Sequence, residues 1–269
     1  MRFIKKISPL SYHSLFVPSL DAITFLTWGA LLFKYWLSGE IQLLIHPNYV
    51  GLVVATGGIL LILGLIKLFQ IYRDKTENSQ ETVVQHITLL PVGWSTFFLL
   101  GTAILGLLIP PKVLGSDIAL QRGIRETLPL TQTEPQAFRV SVQPQERSLI
   151  DWIKTINTYP EPDAYEGEKV KVRGFVIQKE KLPDNYFLVA QFIITCCAID
   201  AYPVALPVKL ADSQQGYPAD TWLEIEGTMI SANLVSIITD DQSHESKRQV
   251  VIRAEQVTEI PTPRNPYGS

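Results

Sequence analysis

The sequence has few of the side chains with which enzymes carry out nucleophilic and acid–base chemistry. It contains two cysteines and four histidines in 269 residues, and it has no Gly-x-Ser-x-Gly segment. The histidines are far apart along the chain, at His13, His46, His86 and His244. Because a serine hydrolase needs nucleophile, base and orienting acid in one place, these absences exclude a recognisable hydrolase. We therefore expect no enzymatic activity.

Clusters of positive charge are also missing. Lys and Arg number 23 against 26 Asp and Glu, which gives a formal net charge of −3. Proteins that bind nucleic acids present a basic surface that displaces counterions from phosphates. The charge pattern therefore excludes nucleic acid as a partner.

Two long stretches carry no charged side chain at all. The sequence has no Asp, Glu, Lys or Arg between Glu40 and Lys67, and none between Glu81 and Lys112. Each gap exceeds the roughly 20 residues that a helix needs to cross a bilayer. These two stretches predict membrane spans.

A third apolar run precedes them and contains Asp21 and Lys34. Both charges lie near the ends of the run, where such side chains can reach lipid headgroups. We therefore predict a cytoplasmic N-terminus at residues 1–19, then a membrane region at 20–110 with spans at about 20–37, 49–69 and 88–110.

Positive residues are distributed unevenly around these predicted spans. Residues 38–48 contain no Lys or Arg, whereas Arg2, Lys5 and Lys6 precede the first span, and Arg73 and Lys75 lie between the second and third, with Lys67 at the edge of that loop. Because positive loops stay in the cytoplasm, this pattern predicts a multi-pass protein of the cytoplasmic membrane. Everything after Pro111 is then expected outside the cytoplasm.

The second predicted span contains two glycine pairs with a spacing of seven residues. These are Gly51 with Gly58, and Gly57 with Gly64. Such spacing places small residues on one helix face and allows a second helix to approach closely. The alternative is that glycine is simply frequent in membrane helices, and both interpretations stay open.

The character of the chain changes after the membrane region. Residues 111–135 are polar and contain glycine and proline, which is typical of an extended linker. Residues 136–267 combine one amphipathic helix at 146–158 with five or six short strands, and glycines lie inside strands at Gly174 and Gly227. Internal glycines in short strands are typical of a small curved barrel. The predicted fold is a three-span helical membrane region followed by a small, mainly-β, OB-like barrel domain with one helix.

The only two cysteines, Cys196 and Cys197, are adjacent and end an apolar, strand-like run from Phe187. Neighbouring residues of a regular strand point to opposite faces, so a joint function of both sulfurs requires a kink in the backbone. One interpretation is a soft-metal or redox dithiol. The other is that the cysteines fill space in a β core, as free cysteine often does.

Asp200 follows the cysteines where a turn is expected. Together Cys196, Cys197 and Asp200 form a candidate metal site, with two soft ligands and one hard ligand for a soft metal ion. Because a nearby carboxylate raises the pKa of a thiol, we favour Asp200 as an acceptor for backbone N–H groups that stabilises the turn. A redox role is less favoured, since catalytic dithiols usually occur as Cys-x-x-Cys at a helix N-terminus.

Several segments together resemble a bacterial family. They are His46 to Tyr49, Leu114 to Ser116, Arg122-Gly123, Gly167 to Gly174, Phe192 to Ala201, Trp222 to Gly227 and Ile260 to Tyr267. In these segments the sequence resembles permease subunits with an N-terminal membrane region and a C-terminal domain of unknown function, which are encoded beside a larger multi-span permease. The Cys-Cys-x-x-Asp-Ala element at residues 196–201 is the most specific part of the resemblance.

The resemblance implies a membrane-anchored accessory subunit that works with the larger permease and has no established catalytic activity. Related permeases resemble organoarsenical exporters, which implies a soft metal or metalloid cargo. Some relatives carry a His-rich segment between the second and third spans, but this sequence has only His86 there. A membrane-tethered thiol redox protein and a purely structural membrane module remain alternatives.

Overall fold

The computed structural model describes residues 10–74, 94–124, 144–179, 182–211, 216–235 and 246–268. The chain forms two compact units, Met1–Lys112 and Val113–Ser269. The first unit is helical, and the second combines a β-sheet with short helices.

The described part of the first unit has three α-helices: α1 (Leu10–Ser38), α2 (Val50–Asp74) and α3 (Trp94–Leu108). A short 3-10 turn at Pro47–Tyr49 leads into α2. Pro47 suits this start because its missing N–H would have no partner at a helix N-terminus. The Nδ1 atom of His46 accepts a hydrogen bond from the backbone N–H of Asn48, so this histidine caps the turn.

The fold class predicted from the sequence is wrong in its number of membrane spans. Among the described residues, one helical stretch, Pro47–Arg73, is long and apolar enough to cross a membrane. Helix α1 has sufficient length, but polar and charged side chains such as Asp21 and Lys34 lower its hydropathy. Helix α3 has 15 residues, which is short for a span. The beginning of the third predicted span, at 88–93, lies outside the described residues.

The charges in α1 contact other helices of the unit. The ammonium group of Lys67 lies 3.1 Å from one carboxylate oxygen of Asp21, and the hydroxyl of Thr96 donates to the other oxygen at 2.8 Å. The ammonium group of Lys34 donates to the carbonyl oxygen of Leu107 at 3.0 Å. Asp21 and Lys34 therefore connect helices within the unit.

One of the two glycine pairs in α2 serves close packing. A Cβ added at Gly64 would lie 2.7 Å from Leu26, and one added at Gly57 would lie 3.3 Å from Leu32, both in α1. A Cβ added at Gly51 or Gly58 would meet nothing within 4 Å. The close approach of α1 thus explains Gly57 and Gly64, and it does not involve the other pair.

In its described residues the second unit contains six strands: β1 (Lys169–Ile177), β2 (Tyr186–Ile193), β3 (Tyr202–Lys209), β4 (Trp222–Val235), β5 (Ser246–Glu259) and β6 (Tyr267–Gly268). β1 pairs antiparallel with both β2 and β4, β4 pairs antiparallel with β5, and β2 with β3. β3 and β5 pair in parallel, so the five long strands form a mixed sheet that closes on itself. The short strand β6 adds in parallel to β2.

The predicted fold class also has the wrong number of helices beside the strands. A β domain is present, but its described part has two α-helices, α4 (Ser116–Arg122) and α5 (Leu149–Thr158), and 3-10 turns at Pro144–Glu146 and Pro162–Tyr165. Helix α4 lies in the segment predicted to be an extended linker, 111–135. Its Ser116 and Ala119 are buried, although the surrounding polar and glycine-containing sequence has no helical periodicity. Residues 125–135 lie outside the described part.

Two glycines allow the strands to approach each other. A Cβ added at Gly227 would lie 2.1 Å from the carbonyl oxygen of Arg253, and one added at Gly174 would lie 2.6 Å from that of Ala190. The register between β4 and β5 also shifts at Gly227, as at a β-bulge. The sheet core packs against α5, which begins with a capping box between Ser148 and Asp151.

Candidate metal site

Both cysteines lie in the connection from β2 to β3, after the regular strand has ended. β2 ends at Ile193 and β3 begins at Tyr202, so strand alternation does not apply to Cys196 and Cys197. Their Sγ atoms lie 3.5 Å apart, and the thiol of Cys196 donates to the sulfur of Cys197. Cys196 is exposed and Cys197 is half-buried. The kink that a dithiol function requires is present, and the core-filler interpretation is wrong for Cys196.

The side chain of Asp200 produces this kink. One carboxylate oxygen accepts the backbone N–H groups of Thr195 at 3.3 Å and Cys197 at 3.2 Å, and the other accepts that of Cys196 at 2.9 Å. The backbone N–H of Asp200 donates in return to the carbonyl oxygen of Cys197 at 3.1 Å. The predicted role of Asp200 as a turn-stabilising acceptor is confirmed.

The hydrogen bonds decide the charge of Asp200. Partial burial raises the pKa of its carboxyl group, but hydrogen bonds from Cys196, Cys197 and Thr195 outweigh that effect, and the net pKa lies below its ordinary value. At neutral pH the loop therefore encloses a fixed negative charge beside the two sulfurs.

The same surroundings act on Cys196 in the opposite direction. The hydrogen bond with Cys197, followed by that with the Asp200 carboxylate, raises the pKa of the Cys196 thiol to about 11. The free thiol is therefore protonated at neutral pH, and a protonated thiol is a weak nucleophile. An ion that binds here must displace this proton.

Arg122 contacts the part of the loop that follows the two cysteines. Its Nη1 atom donates to the carbonyl oxygen of Ala198 at 3.1 Å and to that of Ala201. No role in the site is predicted for this arginine from the sequence, because helix α4 lies in the predicted linker. The Arg-Gly pair at the end of α4 was visible in the sequence, but nothing there indicated which carbonyl groups it would contact.

The spacing of the side chains suits one thiophilic ion. The ligand atoms of Cys196, Cys197 and Asp200 lie within 4.8 Å of one another. Two thiolates about 2.3 Å from a tetrahedral zinc ion are about 3.8 Å apart, so the observed 3.5 Å needs little adjustment. Because both oxygens of Asp200 already accept backbone N–H groups, the sulfurs are the ligands that can bind without dismantling the turn.

The comparison with protein families covers most of the chain. Residues 20–125 match the DUF1980 N-terminal domain, and residues 131–268 match the DUF1980 C-terminal domain. The chain belongs to the DUF1980 family. The cysteine loop, residues 194–201 between β2 and β3, lies in the C-terminal domain of this family, which is a domain of unknown function. Comparisons with curated proteins and with solved structures give no match.

Proposed function

We propose that this DUF1980 protein is a membrane-anchored accessory subunit of a two-component permease, and that its β domain binds a soft metal or metalloid ion. The observation that carries the proposal is the pair of sulfurs, 3.5 Å apart on an accessible loop, at Cys196 and Cys197. The partner is a larger multi-span permease, as the resemblance to permease subunits implies.

The surface of the helical unit supports membrane anchoring. Large apolar side chains of α2 and α3 are exposed, among them Leu52, Ile59, Leu65, Phe69, Phe97 and Leu105. Water-exposed apolar patches of this extent are rare on soluble proteins. Lipid or the helices of a permease would cover them without cost.

We place the protein in the cytoplasmic membrane with its β domain outside the cytoplasm. Lys67 and Arg73 near the C-terminal end of α2 favour the cytoplasmic side for that end. This orientation requires the chain to return through the uncharged stretch between Glu81 and Lys112, which contains α3 and extends into residues outside the described part. Alkaline-phosphatase fusions after Thr133 should be active, whereas activity of a cytoplasm-only reporter at that position would contradict this orientation.

The donor set favours a soft cargo. Thiolate sulfur binds soft ions selectively, while carboxylate and carbonyl oxygens suit hard ions. The Asp200 carboxylate beside the pair favours a bound cation over an anion. Because the pKa of Cys196 is raised to about 11, ion binding releases a proton, and acid favours ion release.

The protonation of Cys196 argues against the redox alternative. Thiol oxidoreductases use a cysteine whose pKa is lowered, so that a thiolate is present near neutral pH. Here hydrogen bonds with Cys197 and Asp200 raise the pKa of Cys196. A purely structural module, for its part, has no need for an exposed pair of thiols.

Cadmium binding tests the proposal, because sulfur-to-cadmium charge transfer absorbs in the ultraviolet and reports thiolate ligation directly. The purified full chain should bind one cadmium ion, and Cys196→Ser and Cys197→Ser should each abolish the absorption. Ile199→Ser is the matched control, since Ile199 is 87% exposed in the same loop and carries no sulfur. Absence of binding by the wild type, or unchanged binding by both serine variants, contradicts the proposal.

The permease partner needs a separate experiment. The full chain should co-purify from native membranes with a larger membrane protein that mass spectrometry identifies. The β domain alone, which lacks the exposed apolar helices, should not retain that protein. If the β domain alone recovers as much of the larger membrane protein as the full chain does, the contact with the permease does not depend on the helical unit.

A further inference from the structure

Opposite charges hold the two halves of the cysteine loop. The Asp200 carboxylate accepts the N–H groups at the beginning of the loop, from Thr195 to Cys197. The Arg122 guanidinium donates to the carbonyl groups of Ala198 and Ala201, in the second half. Asp200 belongs to the loop, whereas Arg122 reaches it from a different element.

The position of Arg122 is set by its attachment to the sheet domain. At the beginning of α4, the backbone N–H of Ser116 donates to the carboxylate of Asp220, and the Ser116 side chain is buried. At its end, Gly123 leaves the helix with φ 77°, and the next residue, Ile124, is buried. A helix fixed at both ends therefore presents Arg122 to the loop.

We propose that Arg122 is a positioning residue for the Cys196–Cys197 pair. Asp200 itself lies in the second half of the loop, between Ala198 and Ala201, so its carboxylate can hold Cys196 and Cys197 in place only while that half is fixed. The two hydrogen bonds from Arg122 fix that half and keep both sulfurs on one side. The proposal rests on the proposed function only for the physiological ligand, because a dithiol probe measures the sulfur geometry directly.

Arg122 acts through hydrogen bonds and not through the charge that it places near the thiols. Hydrogen bonds and charges from Cys197 and Asp200, together with burial, raise the pKa of Cys196, and no lowering contribution from the Arg122 cation accompanies them. Its charge acts on Tyr267 instead, where it opposes the increase in pKa that burial causes. Removing Arg122 should therefore change the geometry of the dithiol and leave the titration of Cys196 in place.

Phenylarsine oxide is the appropriate probe. Its arsenic atom condenses with two thiols, forming two As–S bonds and releasing one water molecule without any change in oxidation state. Arg122→Ala in the full chain should weaken this binding about 10–100-fold, the usual effect of losing a residue that orients ligands. Arg122→Lys should recover part of the loss, because an ammonium group can also donate to carbonyl oxygens.

Two further measurements separate positioning from general destabilisation. Arg173→Ala is the control, since Arg173 forms an exposed ion pair with Glu224 on the sheet and has no contact with the loop among the described interactions. It should leave probe binding unchanged. The pH profile of Cys196 alkylation by iodoacetamide, which needs one thiol only, should be the same in Arg122→Ala and wild type.

The outcomes distinguish this inference from the proposed function. Equal arsenical affinity of Arg122→Ala and wild type overturns it, and so does a shifted alkylation profile, which would indicate an electrostatic role. If Arg122→Ala does not fold, equal affinities of Arg122→Lys, Arg122→Gln and wild type overturn it. Arg122-dependent arsenical binding without any cadmium binding would contradict the proposed function and support the positioning role. Wild-type arsenical binding as weak as that of Cys196→Ser would overturn both.

Discussion

The carboxylate of Asp200 lies 2.9 Å from the backbone nitrogen of Cys196, and this contact joins the end of the cysteine loop to its beginning. The same carboxylate accepts the N–H groups of Thr195 and Cys197. Three N–H groups that would continue the β-ladder are thus directed to one side chain. The strand ends there, and the two sulfurs meet.

Asp200→Asn should make Cys196 more reactive. The carboxylate raises the pKa of this thiol through a hydrogen bond and through its charge, while the hydrogen bond with Cys197 contributes more and remains in the variant. We expect the pKa of Cys196 to fall part of the way from about 11 toward its ordinary value. The pH dependence of iodoacetamide alkylation measures the change. Glu226→Gln is the control, because it removes an exposed carboxyl group elsewhere on the sheet. An unchanged alkylation profile in Asp200→Asn would show that Asp200 does not raise the pKa of Cys196.

The stability of the protein should depend on Asp200 with a defined sign. Because its pKa is lowered in the folded state, its contribution is complete above the ordinary aspartate pKa of about 3.9 and is lost as the pH falls through the folded value. Asp200→Asn should cost about 1 kcal/mol at neutral pH, because hydrogen bonds to a charged acceptor contribute more than hydrogen bonds to a neutral amide oxygen. The difference in Tm between variant and wild type should shrink below about pH 4. A constant difference from pH 3 to 7 would show that the charge is not involved.

The sequence was sufficient for the loop chemistry and insufficient for the fold around it. A joint role of Cys196 and Cys197 requires a kink in the backbone, and Asp200, three residues after Cys197, supplies the acceptor that stabilises it. The kink and its acceptor could both be predicted because they depend on residues that are close in the sequence. Arg122 lies 74 positions before Cys196, and that contact depends on how α4 packs on the sheet, which no local pattern encodes. The error in the membrane spans has a different cause: charges such as Asp21 and Lys34 were assigned to headgroups, yet they contact Lys67 and Leu107 on other helices.

Gly227→Ala should destabilise the β domain strongly. The added Cβ would lie 2.1 Å from the carbonyl oxygen of Arg253, which belongs to the paired backbone of β5 and cannot rotate away. Overpacking of this kind costs about 1–3 kcal/mol or more. Gly216→Ala is the matched control, because its Cβ would meet nothing within 4 Å. Thermal unfolding followed by far-ultraviolet circular dichroism measures both, and equal stability of the two variants would contradict the close approach at Gly227.

Alanine substitutions on the two faces of α2 should have different effects on the stability of the helical unit. Gly64→Ala places a Cβ 2.7 Å from Leu26 of α1 and should force the two helices apart, whereas Gly58→Ala points into open space. We expect a loss of about 1–3 kcal/mol for Gly64→Ala. Gly58→Ala should be neutral or slightly stabilising, because alanine favours a helix over glycine by about 1 kcal/mol. Thermal stability in detergent measures both variants. If Gly58→Ala is the damaging one and Gly64→Ala is tolerated, α1 does not pack on the face of α2 that carries Gly64.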